Sequence, residues 1–449
     1  MNSKDIKPEG SSILSAIISH DFRQTAINQI WRLVNGPLML MLIPLYLTAE
    51  AQGYWYTFIS LAALVIFADM GFTTILLQFS AHEYANLSFD QHRSLAGDRH
   101  HLERIASLFR FSVKWSAGMG LLAFPLILTA GFFILDEKQT NVDWVGAWVL
   151  YSLASIFVFM NSMVLSFIEG CNSVGDVQKI RFKISFITSI SMIVLLLLGA
   201  ELYALTASLA IGTIASTVIV VHRYKNMLKQ LWFLGKGLAH QWNKEILPLL
   251  GRYAVSFISG YLIFSMFTII AFKYYGVVEA GKVGFSIAIC TAIFGIANIW
   301  ITVVTPKINM YVSRKEFASL NAIFKKHLIA AIVTYIIGII LLFGIVTSFQ
   351  DVLPVANRVV KNSSLAAIAL GWLFQIVING YAVYLRAFKR EPLMVPSLVT
   401  AVYIVTATVF TATYLPFEYF FTGFLTSYFW GVPWVWLIFT RFRNGLTDG

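Results

Sequence analysis

The chain has 449 residues, 58% of them hydrophobic and only 12% charged, with a mean hydropathy of +0.73; soluble domains do not have this composition. That excludes an ordinary soluble enzyme and indicates an all-α, polytopic integral membrane protein. The formal net charge of +11 does not indicate a nucleic-acid partner, because the basic residues gather in loops on one membrane face, which is a topology signal.

At the start of the chain, residues 1–24 carry Asp5, Glu9 and Asp21, and their apolar stretch 13–18 is too short for a signal sequence. They read as a cytoplasmic amphipathic segment. Apolar windows long enough to cross a hydrocarbon core then predict about twelve spans, near 25–47, 54–80, 108–134, 144–168, 180–200, 203–222, 248–272, 281–305, 328–348, 364–385, 393–414 and 418–439. The fifth and sixth are separated only by "GAELYA", the last two only by "YLPFEY". The expected organisation is an N-lobe over 25–223, a cytoplasmic linker at 224–247, a C-lobe over 248–440 and a cytoplasmic tail at 441–449. With the N-terminus in the cytoplasm, only Lys138, Lys273, Lys282, Arg358 and Lys361 fall at the outer face, and Arg32 lies inside the first span. This bias favours an even number of spans with both ends inside.

The two halves carry a tandem echo. Placing Tyr46 on Tyr275 also places Glu50 on Glu279, Ala51 on Ala280, Arg23 on Arg252 and Asp69 on Asn298. Both halves begin on the same side, so such repeats are parallel and related by an axis along the membrane normal. The expected architecture is two parallel six-helix lobes around a central cavity.

In the first span, Thr25, Asn28, Gln29, Arg32 and Asn35 recur at three- and four-residue steps and form one polar stripe. In lipid such a stripe must face protein or water, and Pro37 and Pro44 predict a bend. Arg32 offers a planar fork of donors suited to phosphate oxygens. It is the first substrate-binding candidate, with Asn28, Gln29 and Asn35 beside it. Arg23 and Arg252 sit at the inner mouth, for headgroup anchoring or substrate capture, and Lys273 ends the seventh span as an interfacial anchor or substrate contact. The positions equivalent to Asn28, Arg32 and Asn35 are Phe257, Tyr261 and Phe264, so one wall of the cavity is expected to be cationic and the other aromatic.

Asp69 interrupts the apolar run "LVIFADMGFTTILLQF". Reflection through the turn near residues 50–51 places it opposite Arg32, its first candidate partner. Two roles stay open, a structural ion pair and a pair that opens for substrate or a coupling proton. The loop histidines lack helical metal-ligand spacing and read as solvated. Cys171 and Cys290 show no metal or redox spacing. Neither "EGCNSVG" nor "GKVGFS" follows a strand as a phosphate loop requires, and no catalytic constellation is present. The chain reads as a transporter, not an enzyme.

The hairpin "LYLTAEAQGYWYTFISLAALVIFADMGFTTILLQF", with its acidic-glycine-aromatic turn "EAQGYW" and its ending Asp69-Met70-Gly71-Phe72, resembles the polysaccharide biosynthesis protein family of O-antigen (Wzx-type) flippases. These belong to the multidrug/oligosaccharidyl-lipid/polysaccharide exporter superfamily. The motif match covers roughly residues 25–80; beyond it the likeness is one of span pattern. Asp69, Gly71, Glu50 and Gly53 are the residues carried by motif, whereas Asn298-Ile299-Trp300 departs from the pattern in the second half.

The resemblance implies alternating access in the cell inner membrane and transfer of an undecaprenyl-diphosphate-linked oligosaccharide from the cytoplasmic to the periplasmic leaflet. It implies no cofactor; proton antiport, sodium antiport and the membrane potential stay open as energy sources. The expected partners are this substrate, the lipid bilayer and polysaccharide polymerase machinery, and a monomer is expected. The rival readings are a cation-coupled drug or metabolite exporter of the same superfamily, which wants intramembrane carboxylates, and a glycan polymerase or ligase, which wants a large outer loop.

Overall fold

The computed structural model describes residues 20–136, 140–237, 240–348, 354–388 and 392–447. Residues 1–19 of the expected amphipathic segment, and Lys138, lie outside the described residues. The chain runs α1 (His20–Tyr46), α2 (Ala49–Asp69), α3 (Phe72–Tyr84), β1 (Leu87–Phe89), β2 (Leu95–Gly97), α4 (Arg99–Leu135), α5 (Val145–Gly170), α6 (Val174–Leu197), α7 (Leu202–Leu234) and α8 (Trp242–Phe264). It continues through α9 (Met266–Tyr275), α10 (Val277–Ala297), α11 (Ile299–Ser313), α12 (Phe317–Ser348), α13 (Asn362–Ala387), α14 (Met394–Tyr414) and α15 (Thr422–Thr447).

Among the described residues, ten helices are long and apolar enough to cross a membrane: α2, α4 to α8, α10 and α12 to α14. The expected windows 25–47 and 418–439 form α1 and α15, of 27 and 26 residues, which lie outside that set. The short "GAELYA" separation is a true turn, with Gly199 at φ 75° and Glu201 at φ 45°. Three expected spans are interrupted instead. A 3₁₀ turn at Ala63–Val65 and a break at residues 70–71 divide 54–80, Ser265 divides 248–272, and Asn298 divides 281–305. Uniform apolar composition sets the length of a window but not the backbone angles inside it.

The described chain forms two compact units. One comprises residues up to 35, 67–128 and 145–252; the other comprises 36–66, 129–144 and 253 onward. In the first unit, α5 packs on α3 and α7, and α6 pairs with α7. Helix α7 extends through Leu234 because Tyr224, Met227 and Leu231 are buried on one face.

A β-hairpin inside this unit was not expected from the sequence. Its strands pair Leu87 with Gly97 and Phe89 with Leu95. Gln230 holds it to α7, accepting from Leu95 N and donating to Leu95 O, both at 2.8 Å, and Asn226 Nδ2 donates to His92 O at 2.8 Å. Asp176 adds ion pairs to Arg93 at 3.1 Å and Arg223 at 2.6 Å. Nearby, the buried Glu83 accepts from Arg104 Nε at 2.8 Å and lies 2.9 Å from His101 Nδ1. Arg104 also lies over the Trp242 ring, whose Nε1 donates to Ser107 Oγ at 2.8 Å. His240 pairs with Glu245 at 2.7 Å. His101 and His240 are therefore not solvated loop residues as expected, because each lies against a carboxylate.

The second unit is organised by the crossing of α2 and α10. Thr48 opens α2 by accepting from Ala51 N, and Glu50 in the first turn complements the helix dipole. Tyr54, Trp55 and Phe58 are wholly buried. A Cβ on Gly53 would collide with Val277 O, so only glycine admits this approach. Beside it Gln52 Nε2 donates to Gly281 O at 3.2 Å, a partner 229 residues on, and the Tyr56 ring meets Phe285 at the same offset. That offset is the one that superposes Tyr46 on Tyr275. Two residues of this crossing thus touch the positions that the sequence offset makes their equivalents. Elsewhere in the unit, Phe324, Tyr384 and Phe439 meet edge-on or tilted at about 5–6 Å within an apolar cluster of α11, α12, α13 and α15.

Gly53→Ala should lower the melting temperature of the detergent-solubilised protein, through overpacking of about 1–3 kcal/mol. Gly36→Ala, where nothing lies within 4 Å, should hold or raise it. Burial opposes ionisation of Glu83, but the hydrogen bonds and charge of His101 and Arg104 outweigh it and hold the carboxyl below its usual value. A depressed carboxylate stabilises the fold fully above its unfolded value, about pH 4.3, and that stabilisation is lost as pH falls through the lower folded value. Glu83→Gln should therefore cost up to about 3 kcal/mol at neutral pH, and its gap in melting temperature from the parent should narrow on acidification. A gap unchanged down to about pH 3, below the unfolded carboxylate value, would contradict this account.

Candidate functional site

The polar stripe of α1 divides in the structure. Asn28 is 3% exposed, and its Nδ2 donates to Gln178 Oε1 at 2.8 Å. One turn on, Trp31 Nε1 donates to Ser185 Oγ at 3.0 Å, with its ring edge-on to Phe182. Thr25 bonds back to Asp21 O, whose carboxylate accepts from Gly175 N at 2.8 Å. Asn35 Oδ1 is buried without a partner among the described residues. Arg23, Gln29 and Arg32 project from exposed positions of α1. Arg252 lies on α8 with its side chain outside the described residues, and Lys273 is exposed in the last turn of α9.

Gln178 continues the network, because its Nε2 donates to Glu169 Oε1 at 3.2 Å. Arg181 grips the same carboxylate with both terminal nitrogens, Nη1 at 3.3 Å from Oε1 and Nη2 at 2.7 Å from Oε2. This is the fork-on-carboxylate geometry that guanidinium favours. Gln178, Arg181, Ser185 and Thr188 stand at helical spacing on one face of α6. That stripe was the signal the sequence reading passed over, because the charged Lys179 and Lys183 lie between its members.

Arg181, Ser185 and Thr188 line a cavity of about 290 Å³, closed by Asn161 and Ser162 of α5 and by Thr213 and Ser216 of α7. Asn161 and Thr217 exchange hydrogen bonds at 3.0 and 3.2 Å, and Ser216 Oγ is buried with no partner among the described residues. The volume stands at the lower end of the small-ligand range. Its described lining holds an arginine, hydroxyls and an amide among the aliphatic Val158, Leu165, Ile184 and Leu209, but no histidine and no carboxylate, and the arginine itself holds Glu169. Such a surface binds by hydrogen bonding and positive charge and offers no nucleophile–base pair. Arg32, the expected centre of the site, is not among the lining residues.

Asp69 does not meet Arg32. Its Oδ1 accepts from Thr73 N at 3.0 Å, and its Oδ2 accepts from Thr73 Oγ1 at 3.1 Å and from Gly71 N at 3.3 Å. It caps α3 across a break in which Met70 and Gly71 take φ of 45° and 85°. The expected ion pair rested on equal heights along an unbroken hairpin, and height says nothing about the direction in which a side chain leaves its helix. The Asp-x-Gly ending is thus a capping device, with glycine at the left-handed position. At the equivalent place Asn298 also marks a helix break, between α10 and α11, and its Oδ1 accepts from Asn379 Nδ2 at 2.7 Å. Both halves break at this point by different means.

Asp69→Ala should destabilise the protein by about 1 kcal/mol, as a lost cap does, whereas Asp69→Asn, which keeps an acceptor for Thr73, should cost only a fraction of that in thermal melts. Equal losses in the two variants would point back to an ion pair.

No protein-family model matches the chain, and no curated protein resembles it in sequence. Solved structures do. The MATE multidrug transporter DinF-BH superposes with a TM-score of 0.62 at 11% identity, over 95% of this chain and 96% of that one. An inward-facing multidrug resistance MATE family transporter of the MOP superfamily gives 0.59 at 13% identity, over 93% and 99%. The lipid II flippase MurJ in an inward closed conformation gives 0.58 at 12% identity, over 94% and 90%. Identities this low establish architecture alone: the chain is an all-α, multi-pass membrane protein whose fold is like that of the MATE transporters and MurJ.

Proposed function

We propose that the protein is a flippase for an undecaprenyl-diphosphate-linked oligosaccharide, an O-antigen or similar polysaccharide repeat unit, moving it from the cytoplasmic to the periplasmic leaflet of the cell inner membrane. One observation carries the reading. Two acids of the long apolar helices are already engaged, Asp69 at the end of α2 as a helix cap and Glu169 in the last turn of α5 by Arg181. Arg23 and Arg32 of α1, by contrast, have no carboxylate partner among the described residues. An exchanger of organic cations needs an acid free to alternate between cargo and coupling ion, whereas a diphosphate needs uncompensated cations and rewards a guanidinium fork.

In this reading Arg32 takes the diphosphate first, Arg23 and Arg252 supply positive charge at the cytoplasmic mouth, and Lys273 acts at the opposite end. Arg181 exchanges Glu169 for phosphate, since both anions fit the same fork. The hydroxyl-lined cavity then accepts polar groups of the head. No covalent step is involved. Net transport requires a difference in affinity between the two faces, for which proton or sodium coupling and the membrane potential are the available sources. Polysaccharide polymerase machinery would consume the product, and the protein acts as a monomer with both ends cytoplasmic.

Purified protein in proteoliposomes should accelerate transfer of a fluorescent undecaprenyl-diphosphate-linked oligosaccharide between leaflets. Arg32→Ala should slow it by about tenfold, the worth of one charge-assisted hydrogen bond, at unchanged melting temperature. Absence of any acceleration would sink the proposal, and gradient-driven uptake of a cationic rhodamine dye in its place would favour the drug-exporter reading.

A further inference from the structure

The second unit holds a larger cavity, of about 580 Å³, that the diphosphate reading does not use. Its walls come from the first turns of α10, from Val346 near the end of α12, from residues 356, 357 and 359–362 leading into α13, and from Phe417. Val346, Ala356, Val359 and Val360 make part of the lining aliphatic, and the remaining groups are of three kinds. Glu279 and Lys282 form an ion pair at 2.7 Å, each about one-third exposed, and Lys361 at the rim pairs with Glu418 at 2.9 Å. Asn357 and Asn362 bring amides, and Phe417 brings an aromatic face.

This wall is fixed in place. Val360 N donates to Ser286 Oγ at 3.0 Å in a buried contact, and Arg358 Nη2 donates to Leu47 O at 2.9 Å. The volume lies well inside the range of small-molecule sites.

We propose that this cavity is a saccharide-binding site, which receives sugar residues of the cargo; the proposal rests on the flippase reading and extends it to the glycan. The argument is one of charge and valence. Each lining lysine is already paired with a carboxylate, and Arg358, between the lining residues Asn357 and Val359, turns its Nη2 to Leu47 O. A hydroxyl both donates and accepts, and the cavity supplies matched donors and acceptors: ammonium, carboxylate and two amides that do both. An aromatic ring beside planar polar groups gives the apolar face of a sugar ring a flat partner, while the ring's hydroxyls meet the amides and the carboxylate. Binding a neutral polyol costs none of the charge desolvation that an anion would.

The test uses the full-length protein in nanodiscs with two probes, maltotriose and triacetylchitotriose, read by saturation-transfer-difference NMR. At least one trisaccharide should give transfer signals. Asn357→Trp, which fills the cavity from an exposed position, should weaken binding by about tenfold, and Glu279→Gln should weaken it in part, both at parental melting temperature. Inorganic phosphate should not displace the sugar. The proposal is overturned by silence from both trisaccharides, by signals that persist undiminished in both variants, or by displacement with phosphate. Leaflet transfer is not read here, so the saccharide site and the diphosphate reading can fail independently.

Discussion

In the spanning helices, a polar group that faces hydrocarbon finds no water to bond with, so its partner has to come from the protein. Most of the informative contacts follow from that constraint. Asp69 turns back on Gly71 and Thr73, Asn28 reaches Gln178, Trp31 reaches Ser185, and Glu169 is held by both terminal nitrogens of Arg181. Ser152, Ser155, Thr213 and Thr305 each donate to a carbonyl one turn earlier in their own helix. Lipid-facing positions satisfy the same rule by carrying nothing polar, as at the strongly exposed Leu121 and Phe133 of α4.

The exceptions then become conspicuous. Arg23 and Arg32 hold charge on exposed positions of a helix that is otherwise stitched to α6, and Ser216, a lining residue of the cavity beside Arg181, keeps a buried hydroxyl with no partner among the described residues. The fold is shared with transporters of drugs and of a lipid-linked precursor. A shared fold does not by itself fix what a chain binds.

The resemblance in the first hairpin also gains a physical meaning. Its acidic-glycine-aromatic turn starts α2 at Thr48 and carries Gly53 into backbone contact with α10. Its Asp-x-Gly ending restarts the helix as α3. Both are devices of backbone geometry. A motif of this sort reports backbone geometry and does not by itself report a substrate.

The sequence by itself determined the class of molecule, because length, hydropathy and the spacing of apolar windows follow directly from bilayer thickness. It also determined the tandem echo, since the offset read from Tyr46 and Tyr275 is the offset of the contacting pairs Gln52–Gly281 and Tyr56–Phe285. Only the tertiary structure decided which polar residues meet. Arg32 and Asp69 share a height but not a direction. Arg181 and Glu169 lie 12 residues apart across a turn and close on each other in space. Periodicity reports which face of one helix is polar, whereas the partner of that face depends on crossing angles and on breaks such as residues 70–71 and Asn298, which a uniformly apolar sequence leaves unmarked.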